Sequence, residues 1–293
     1  MNYYNEIKKE LINNEVTKKV KTYSINKSDL DTYYNVGKLL SEAGNKYGEG
    51  IIKEYSKRLT KDINSKYSAR YLFDIRKLYY FLKVHSLNAQ LTFAHYRLLF
   101  SLKNNNEISY YIEQSLKRRL SVRQLRERIK SKEYERLPEE TKNKLITNNE
   151  LDVSDLIKDP IVIKKSNNYN EISEKVLQKS IMEDLPSFLK ELGEGFTFID
   201  NEYKIKIGNY YNYIDILLFN YKYNCFVVVE LKVTKLRKEH IGQIEIYMNY
   251  IDKNIKTINH DKTIGLIVCR ENNQYIIEYS TDKRIIAREY MLI

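Results

Sequence analysis

The chain has no tryptophan, two cysteines, three prolines and nine glycines in 293 residues. With Gly and Pro this scarce and 30% of residues charged, a low-complexity or disordered chain is excluded. Cys225 and Cys269 both stand in apolar, strand-like runs. Neither has a second Cys or a His at zinc-site spacing, so both read as small buried hydrophobes of a reducing compartment. No apolar run approaches the ~20 residues of a membrane span. The opening Met1-Asn-Tyr-Tyr-Asn lacks the basic-then-apolar order of a signal peptide. The expectation is a cytoplasmic protein with no membrane partner. The histidines at 85, 95, 240 and 260 form no ligand set by spacing, with His95 on an apolar helix reading as a packed residue. No Ser/His/Asp arrangement, phosphate-binding loop or dinucleotide fingerprint appears.

What is present is a length sufficient for two domains, each with its own core, and an uneven charge. Residues 1–150 hold 30 Lys+Arg against 18 Asp+Glu, whereas residues 151–293 hold 20 against 21. The whole basic excess is N-terminal. That points to a first half that meets a polyanion and a second half that does something else. A lysine-rich, solvated surface is the plain alternative. The 27 tyrosines, alongside many Asn, Ile and Lys, read as compositional bias, with Tyr standing in for Phe at half-buried positions.

The N-terminal half reads as helices. Asn26-Lys-Ser-Asp29 is a helix start, and Leu30, Tyr33, Tyr34, Val36, Leu39 and Leu40 follow one helix face. Further helices are expected over about 51–63, from a cap at Ser68 through Phe81, over about 92–102, and after Asn104-Asn-Asn106 to about Leu116. Ser121 and Gln124 have the spacing of a capping box. A helix should therefore begin at Ser121 with Val122, Leu125 and Ile129 toward the core and Arg123, Arg126 and Lys130 on another face. Two short helices joined at a capped turn, the second arginine-rich, suggest helix-turn-helix or winged-helix geometry. Lys117, Arg118, Arg119, Arg123, Arg126 and Lys130 are the candidate nucleic-acid contacts. A solvated basic helix face is the competing reading.

The segment over 133–168 is mixed and weakly periodic, with boundary signals at Leu137-Pro-Glu-Glu and Asp159-Pro160, and reads as a linker between domains at 1–132 and 169–293. A helix is expected over 171–192, kinked at Pro186. Strands follow at about 203–207, 213–219 and 225–232, a helix over about 239–254, and strands at 263–269, at 275–280 and near the C-terminus. That order defines an α/β domain with a mixed sheet, and the whole chain an α+β two-domain protein.

The chemistry sits in one hairpin. Tyr213-Ile-Asp-Ile-Leu-Leu-Phe219 places a lone acid, Asp215, among apolar neighbours, where a charge is costly without a partner. Cys225-Phe-Val-Val-Val-Glu-Leu-Lys232 ends in Glu230 and Lys232, which alternation puts on one face. Two carboxylates can hold Mg²⁺, and a lysine can orient or deprotonate an attacking water. Alternatively, Glu230 and Lys232 form an exposed strand-end ion pair of little worth, and Asp215 is a buried hydrogen-bonding acid.

A helix, a hairpin bearing Asp…Glu-x-Lys, and a further helix resemble the core of the PD-(D/E)XK nuclease superfamily. The resemblance is closer to the YhcG-like family. It is carried by Phe188-Leu-Lys-Glu-Leu-Gly-Glu-Gly-Phe-Thr-Phe198, Ile214-Asp-Ile-Leu-Leu-Phe219, Val229-Glu-Leu-Lys232, His240-Ile-Gly-Gln243 with Tyr247, and Ile264-Gly-Leu-Ile-Val-Cys269. In the N-terminal half it is carried by Tyr33-Tyr-Asn-Val-Gly37, Leu91-Thr-Phe-Ala-His-Tyr-Arg97 and Leu120-Ser-Val-Arg-Gln-Leu125. The resemblance implies an all-α, winged-helix-like N-terminal domain and a restriction-endonuclease-like C-terminal domain. It also implies a metal-dependent endodeoxyribonuclease of genome defence, mobile elements or repair.

In that reading Asp215 and Glu230 hold Mg²⁺, or Mn²⁺ in its place, helped by a carbonyl near Leu231. Lys232 positions water or balances charge, Gln243 bonds the nucleophile or the lysine, and Tyr247 lies one turn on. The chain departs from the family where an acid is common near Gln178, and Glu183 is the candidate replacement ligand. His240 is a candidate phosphate contact. The rival class is a non-enzymatic nucleic-acid-binding or assembly protein with a vestigial nuclease fold. One domain offers one active site, so a two-fold dimer is expected for cutting duplex DNA. Its contact is placed on the aromatic excess of Tyr33, Tyr34, Leu78, Tyr79, Tyr80 and Phe81, with a partner protein bound through the N-terminal domain as the alternative.

Overall fold

The structure, a computed structural model, describes residues 3–20, 25–63, 67–86, 88, 90–164 and 172–293. The chain divides into two compact units, Met1–Tyr134 and Glu135–Ile293. In the first, every described regular element is a helix: α1 (Tyr3–Val20), α2 (Ile25–Tyr47), α3 (Gly50–Ile63), α4 (Ala69–Leu82), α5 (Phe93–Leu99), α6 (Asn105–Lys117) and α7 (Val122–Lys130). No strand occurs among its described residues, so no β-wing accompanies α6 and α7 there. The expected caps at Ser68 and Ser121 are in place, and Asn104, expected only as part of a loop, caps α6, which already begins at Asn105. Ser68 Oγ accepts from Tyr71 N, the Asn104 side chain from Asn106 N and Glu107 N, and Ser121 and Gln124 form the capping box. Each such cap contributes about 1 kcal/mol.

Leu72, Ile75 and Leu78 of α4 are fully buried, and truncating any one to Ala costs roughly 2–5 kcal/mol. Where α2 meets α4, a Cβ on Gly37 would come within 2.6 Å of the Ile75 carbonyl oxygen. That close approach explains a glycine inside a helix, despite its cost of ~1 kcal/mol relative to Ala. Helix α1 precedes every element expected from the sequence, yet its buried Tyr4, Ile7 and Leu11 have helical spacing. The aromatic excess is largely spent inside the unit. Tyr33 and Leu78 are buried, Phe81 packs against Tyr96 and Phe100, and Tyr80, the most exposed of the set, hydrogen-bonds Ser41. Of the expected dimer contact, Tyr33 and Leu78 are therefore inside the core, while Tyr34, Tyr79 and Tyr80 remain at least partly exposed. His95 is buried, as expected: Nδ1 bonds Thr92 and Nε2 bonds the Leu120 carbonyl at 3.0 Å.

The second unit begins well before residue 169. The expected linker instead contains α8 (Glu139–Thr147), α9 (Val153–Leu156) and strand β1 (Ile161–Ile163). Ile157, Ile161 and Ile163 belong to the core. Arg136 pairs with Glu191 and donates to the Pro160 carbonyl, and Val162 N donates to Glu191 at 3.0 Å. The boundary signals mark short turns inside a packed segment; residues 165–168 lie outside the described residues.

The expected kinked helix over 171–192 is two helices, α10 (Glu174–Glu183) and α11 (Leu185–Leu192). Asp184 separates them and caps α11, and Pro186 stands in its first turn, where a missing N–H costs nothing. Then come β2 (Phe196–Ile207), β3 (Tyr210–Asn220), β4 (Cys225–Lys235), α12 (Lys238–Asn254), β5 (Ile264–Glu271), α13 (Gln274–Glu278) and β6 (Ile285–Leu292). The sheet order is β1-β6-β5-β4-β3-β2. β2, β3 and β4 pair antiparallel, while β4, β5, β6 and β1 pair parallel, which makes the expected mixed sheet. One correction falls at 275–280, expected as a strand. Asn273 O accepts from Ile276 N, and adjacent Ile276 and Ile277 both pack on the core, as in a helix and not an alternating strand.

Each sheet face has its own core. One takes Leu177, Ile181 and Phe188 of α10 and α11; the other takes Ile244, Tyr247 and Met248 of α12. Gly265 on β5 lets α12 approach, since a Cβ there would lie 2.5 Å from Met248 Sδ. β4 is buried from Cys225 through Lys232, the continuous burial expected of a central strand with both faces covered. Cys225 and Cys269 are free and buried, as expected. Among the described residues no helix is long and apolar enough to cross a membrane.

Candidate active site

The β3–β4 ladder runs from Asn220↔Cys225 to Ile216↔Val229 and stops. One residue further, the Asp215 side chain takes over from the main chain, its Oδ2 accepting the Leu231 N–H at 2.7 Å. From α10, Gln178 Nε2 donates to the Asp215 carbonyl oxygen at 2.9 Å. Asp215 is thus held through both backbone and side chain where the strands part. Along β4, Val227, Val229 and Leu231 enter one core and Val228 the other, so alternation gives Glu230 and Lys232 the side of Val228.

Glu230 is 2% exposed. Its Oε1 accepts from Lys232 Nζ at 2.9 Å, whereas its Oε2 is buried with no hydrogen-bond partner. An unmatched buried acceptor costs ~1–3 kcal/mol, and more when charged. Burial, and then the Asp215 charge, push the Glu230 carboxyl up to about 7. Asp215 is also raised, by burial first, against the Leu231 N–H and the Lys232 charge, with Glu174 and Glu202 adding to the rise. Burial pulls Lys232 down, but its hydrogen bond to Glu230 and the charges of Glu230, Glu174 and Asp215 outweigh that and hold it above its ordinary value. Lys232 is therefore an ammonium at neutral pH, able to donate and to stabilise charge but not to take a proton from water.

Two acids enter that the sequence reading had not singled out. Glu174 Oε2 lies 3.7 Å from Lys232 Nζ. It stands one helical turn before Gln178, so its position was recoverable from the period of α10. Glu202, at φ 52 on β2, contributes charge at Asp215. Glu183 is exposed at the end of α10, five residues and about 140° round the helix from Gln178; the structure does not bring it to the pair. On α12, Gln243 Nε2 donates to Tyr247 OH at 3.1 Å. The Tyr247 hydroxyl is raised by burial and by the charges of Glu230 and Asp215, which sets it within their field. His240 Nδ1 accepts from Arg237 N in the α12 cap, and burial, Lys232 and Arg237 lower its pKa.

The donor set fits a hard divalent cation. It comprises two carboxylates, one with an orphaned buried oxygen, beside a cation that is already hydrogen-bonded. Among the described residues no three or more His, Cys, Asp or Glu converge as a metal cluster. Two carboxylates with water and phosphate completing the shell is the ordinary Mg²⁺ arrangement.

In the first unit the expected basic run is unequal. Lys117 pairs with Glu113 at 2.6 Å and Arg123 with Glu127 at 3.1 Å, each on its own helix, and Arg118 Nε donates to Gln114. Arg119 occupies the left-handed turn before α7, at φ 50. Arg126 and Lys130 are exposed.

A mixed sheet with Asp215 and Glu230-Leu-Lys232 at a strand divergence, flanked by helices on both faces, defines a PD-(D/E)XK nuclease domain. Residues 154–293 match the YhcG PDDEXK nuclease domain, and residues 6–136 match the DUF1016 N-terminal domain. Together the two matches span most of the chain, in line with its resemblance to the YhcG-like family. It is 25% identical over 317 residues to the protein named "Putative nuclease YhcG" of Escherichia coli (strain K12), across 92% of this chain and 84% of that one. Among solved structures it is similar to a repair endonuclease from Pyrococcus abyssi, at 19% identity and a TM-score of 0.29, over 44% of this chain and 49% of that one. It is also similar to the chain of an EndoMS–dsDNA complex, at 18% identity and the same TM-score and coverage.

Proposed function

We propose that the second unit is a metal-dependent endodeoxyribonuclease that hydrolyses DNA phosphodiester bonds, and that the basic first unit binds the DNA. The observation that carries this reading is the orphaned, buried Oε2 of Glu230 beside Asp215. A buried charged oxygen without a partner is expensive unless a cation completes it. Asp215 and Glu230 would hold Mg²⁺, or Mn²⁺ in its place, which supplies Lewis-acid polarisation of the phosphate and a more acidic water when bound.

The remaining roles belong to the protein's own side chains. Lys232, kept protonated between Glu230 and Glu174, donates to the attacking water or to a phosphate oxygen and stabilises the charge that develops there. Glu174 holds that ammonium in place. Gln178 braces the Asp215 backbone, so an amide where the family commonly has an acid serves positioning. Gln243 and Tyr247 supply donors from the α12 side. In the first unit, α6 and α7 with their capped turn form a helix-turn-helix-like pair whose basic residues meet phosphates. A genome-defence, mobile-element or repair setting fits such an activity, and a two-fold dimer would give one site per strand.

The test is cleavage of a panel of linear, nicked and branched DNA and of RNA with Mg²⁺, Mn²⁺ or EDTA. Metal-dependent DNA cutting that disappears in Asp215→Ala is expected. A pure parent protein that binds DNA but cuts nothing in either metal would instead establish the non-enzymatic reading.

A further inference from the structure

Helices α4, α5 and α7 of the first unit enclose a groove of about 370 Å³. α4 lines it with Arg70, Asp74 and Lys77, at spacings that form one stripe of a helix. α5 contributes Arg97 and α7 contributes Arg126, over a floor that includes Phe100. Among the described residues Asp74 is the only acid lining the groove, and it is spent on Arg97, whose Nε donates to it at 2.8 Å. Arg70, Lys77 and Arg126 are exposed and have no hydrogen-bond or ion-pair partner among the described residues. The surrounding unit carries 27 Lys+Arg against 14 Asp+Glu.

A solvated basic surface scatters its cations along separate faces. Here α4 and α7 converge three unpaired cations on one concavity, beside the Asp74–Arg97 pair of α4 and α5, and its low-dielectric walls focus the positive potential. Arg70 and Lys77 are seven residues apart on α4, or about 10 Å along the axis. One inorganic phosphate does not reach both. Successive phosphates of one DNA strand advance ~3.4 Å each along the duplex, so about three steps, or a run of about four phosphates, span the distance.

We infer that this groove binds the phosphodiester backbone of DNA through Arg70, Lys77, Arg97 and Arg126. The inference rests on the reading of the chain as a DNA-acting nuclease. It moves the anchoring surface from the linear basic run of residues 117–130 to a three-helix groove to which that run contributes Arg126 alone. Lys117 and Arg123, neutralised by acids on their own helices, are peripheral to it.

The experiment measures binding of the full chain to a fluorescein-labelled duplex DNA of about 30 base pairs, by anisotropy, in EDTA and at several KCl concentrations. Arg70→Ala/Lys77→Ala/Arg126→Ala should weaken binding on the order of tenfold or more and make the log–log salt dependence shallower by about 2.7, from ~0.9 per lost phosphate contact. Lys117→Ala/Arg123→Ala should shift the slope by less than half as much. Circular dichroism matching the parent checks that the triple variant is folded, and all three substitutions are of exposed side chains. A triple variant with the parent's affinity and slope overturns the inference, as does an equal loss in the double variant. A parent that prefers a duplex RNA of the same sequence overturns DNA as the occupant. Because binding is read without metal, failure here is distinct from failure of the nuclease reading, which the Asp215→Ala cleavage comparison tests.

Discussion

Replacing Glu230 with Gln tests the central electrostatic argument without any nuclease assay. Gln reproduces the neutral form of Glu230 in size and keeps an acceptor for Lys232. In the folded protein the Glu230 carboxyl is raised from 4.5 to about 7, by burial and by Asp215. Such a group carries no penalty while protonated. Its cost appears as pH rises above the unfolded value and is complete above the folded one, so stability falls across the window from about 4.5 to 7. A rise of about 2.5 units at 1.36 kcal/mol each is roughly 3 kcal/mol.

In EDTA, then, parent and Glu230→Gln should have nearly equal stability at pH 4, and the variant should be the more stable by about 3 kcal/mol at pH 8. For a unit of this size that is a separation of roughly 6–12 °C in melting temperature. Calorimetry across a pH series reads it directly, and comparing the two proteins cancels the titrating groups that lie outside the Glu230 field. Adding Mg²⁺ at pH 8 should raise the parent's melting temperature, since a ligand that binds only the native state stabilises it, and should leave the variant nearly unmoved. Parallel pH–stability curves for the two proteins in EDTA would refute the claim that Glu230 is a buried, incompletely partnered acid, and with it the main structural support for a cation site.

Three further outcomes are expected. Lys232→Ala should abolish cleavage while leaving DNA affinity in EDTA within about twofold of the parent, because the ammonium acts on the reacting groups; a parallel loss of binding would assign it to substrate affinity instead. Glu174→Ala should lower cleavage on the order of tenfold or more, from loss of the charge that helps position Lys232, whereas Glu183→Ala should cut at the parent's rate, and the reverse result would restore Glu183 to the site. Light scattering over a concentration range should give a dimer; a constant mass near the 35.1 kDa of one chain would rule it out and predicts nicked circles in place of linear product.

The hairpin was legible in the sequence because its signals are local. Alternation sets Glu230 beside Lys232, and a lone Asp among apolar residues demands a partner. The Ser121 capping box, the α12 helix and the buried cysteines were legible for the same reason. What was not legible depends on long-range packing. The segment over 133–168 looks polar because its hydrophobic residues are few and short. It is nevertheless part of the nuclease unit, since Arg136 and Lys158 converge on Glu191 and Arg288 reaches the carbonyls of Ser154 and Ile157. No window of sequence displays those partners. Which of the aromatic residues of the first unit are core was illegible for a related reason: Tyr33 and Leu78 are buried by long-range packing while Tyr80 is exposed.

The first nuclease helix shows how a residue-by-residue expectation goes astray even when the element is right. An amide at Gln178 sent the search for a replacement acid forward to Glu183, which the helical period turns about 140° away. The same period carries the face backward to Glu174, one turn toward the N-terminus, where the structure pairs it with Lys232. Meanwhile Gln178 does what a carboxylate there could not do as a donor: its Nε2–H bonds the Asp215 carbonyl oxygen and fixes the strand at the residue whose side chain caps the parting ladder. On this arrangement a Gln178→Glu substitution does not restore a missing ligand. It removes the donor from the Asp215 carbonyl and adds a third acid beside two whose pKa values are already raised, so it should destabilise the site, and Glu174 is the acid to which the helix gives access.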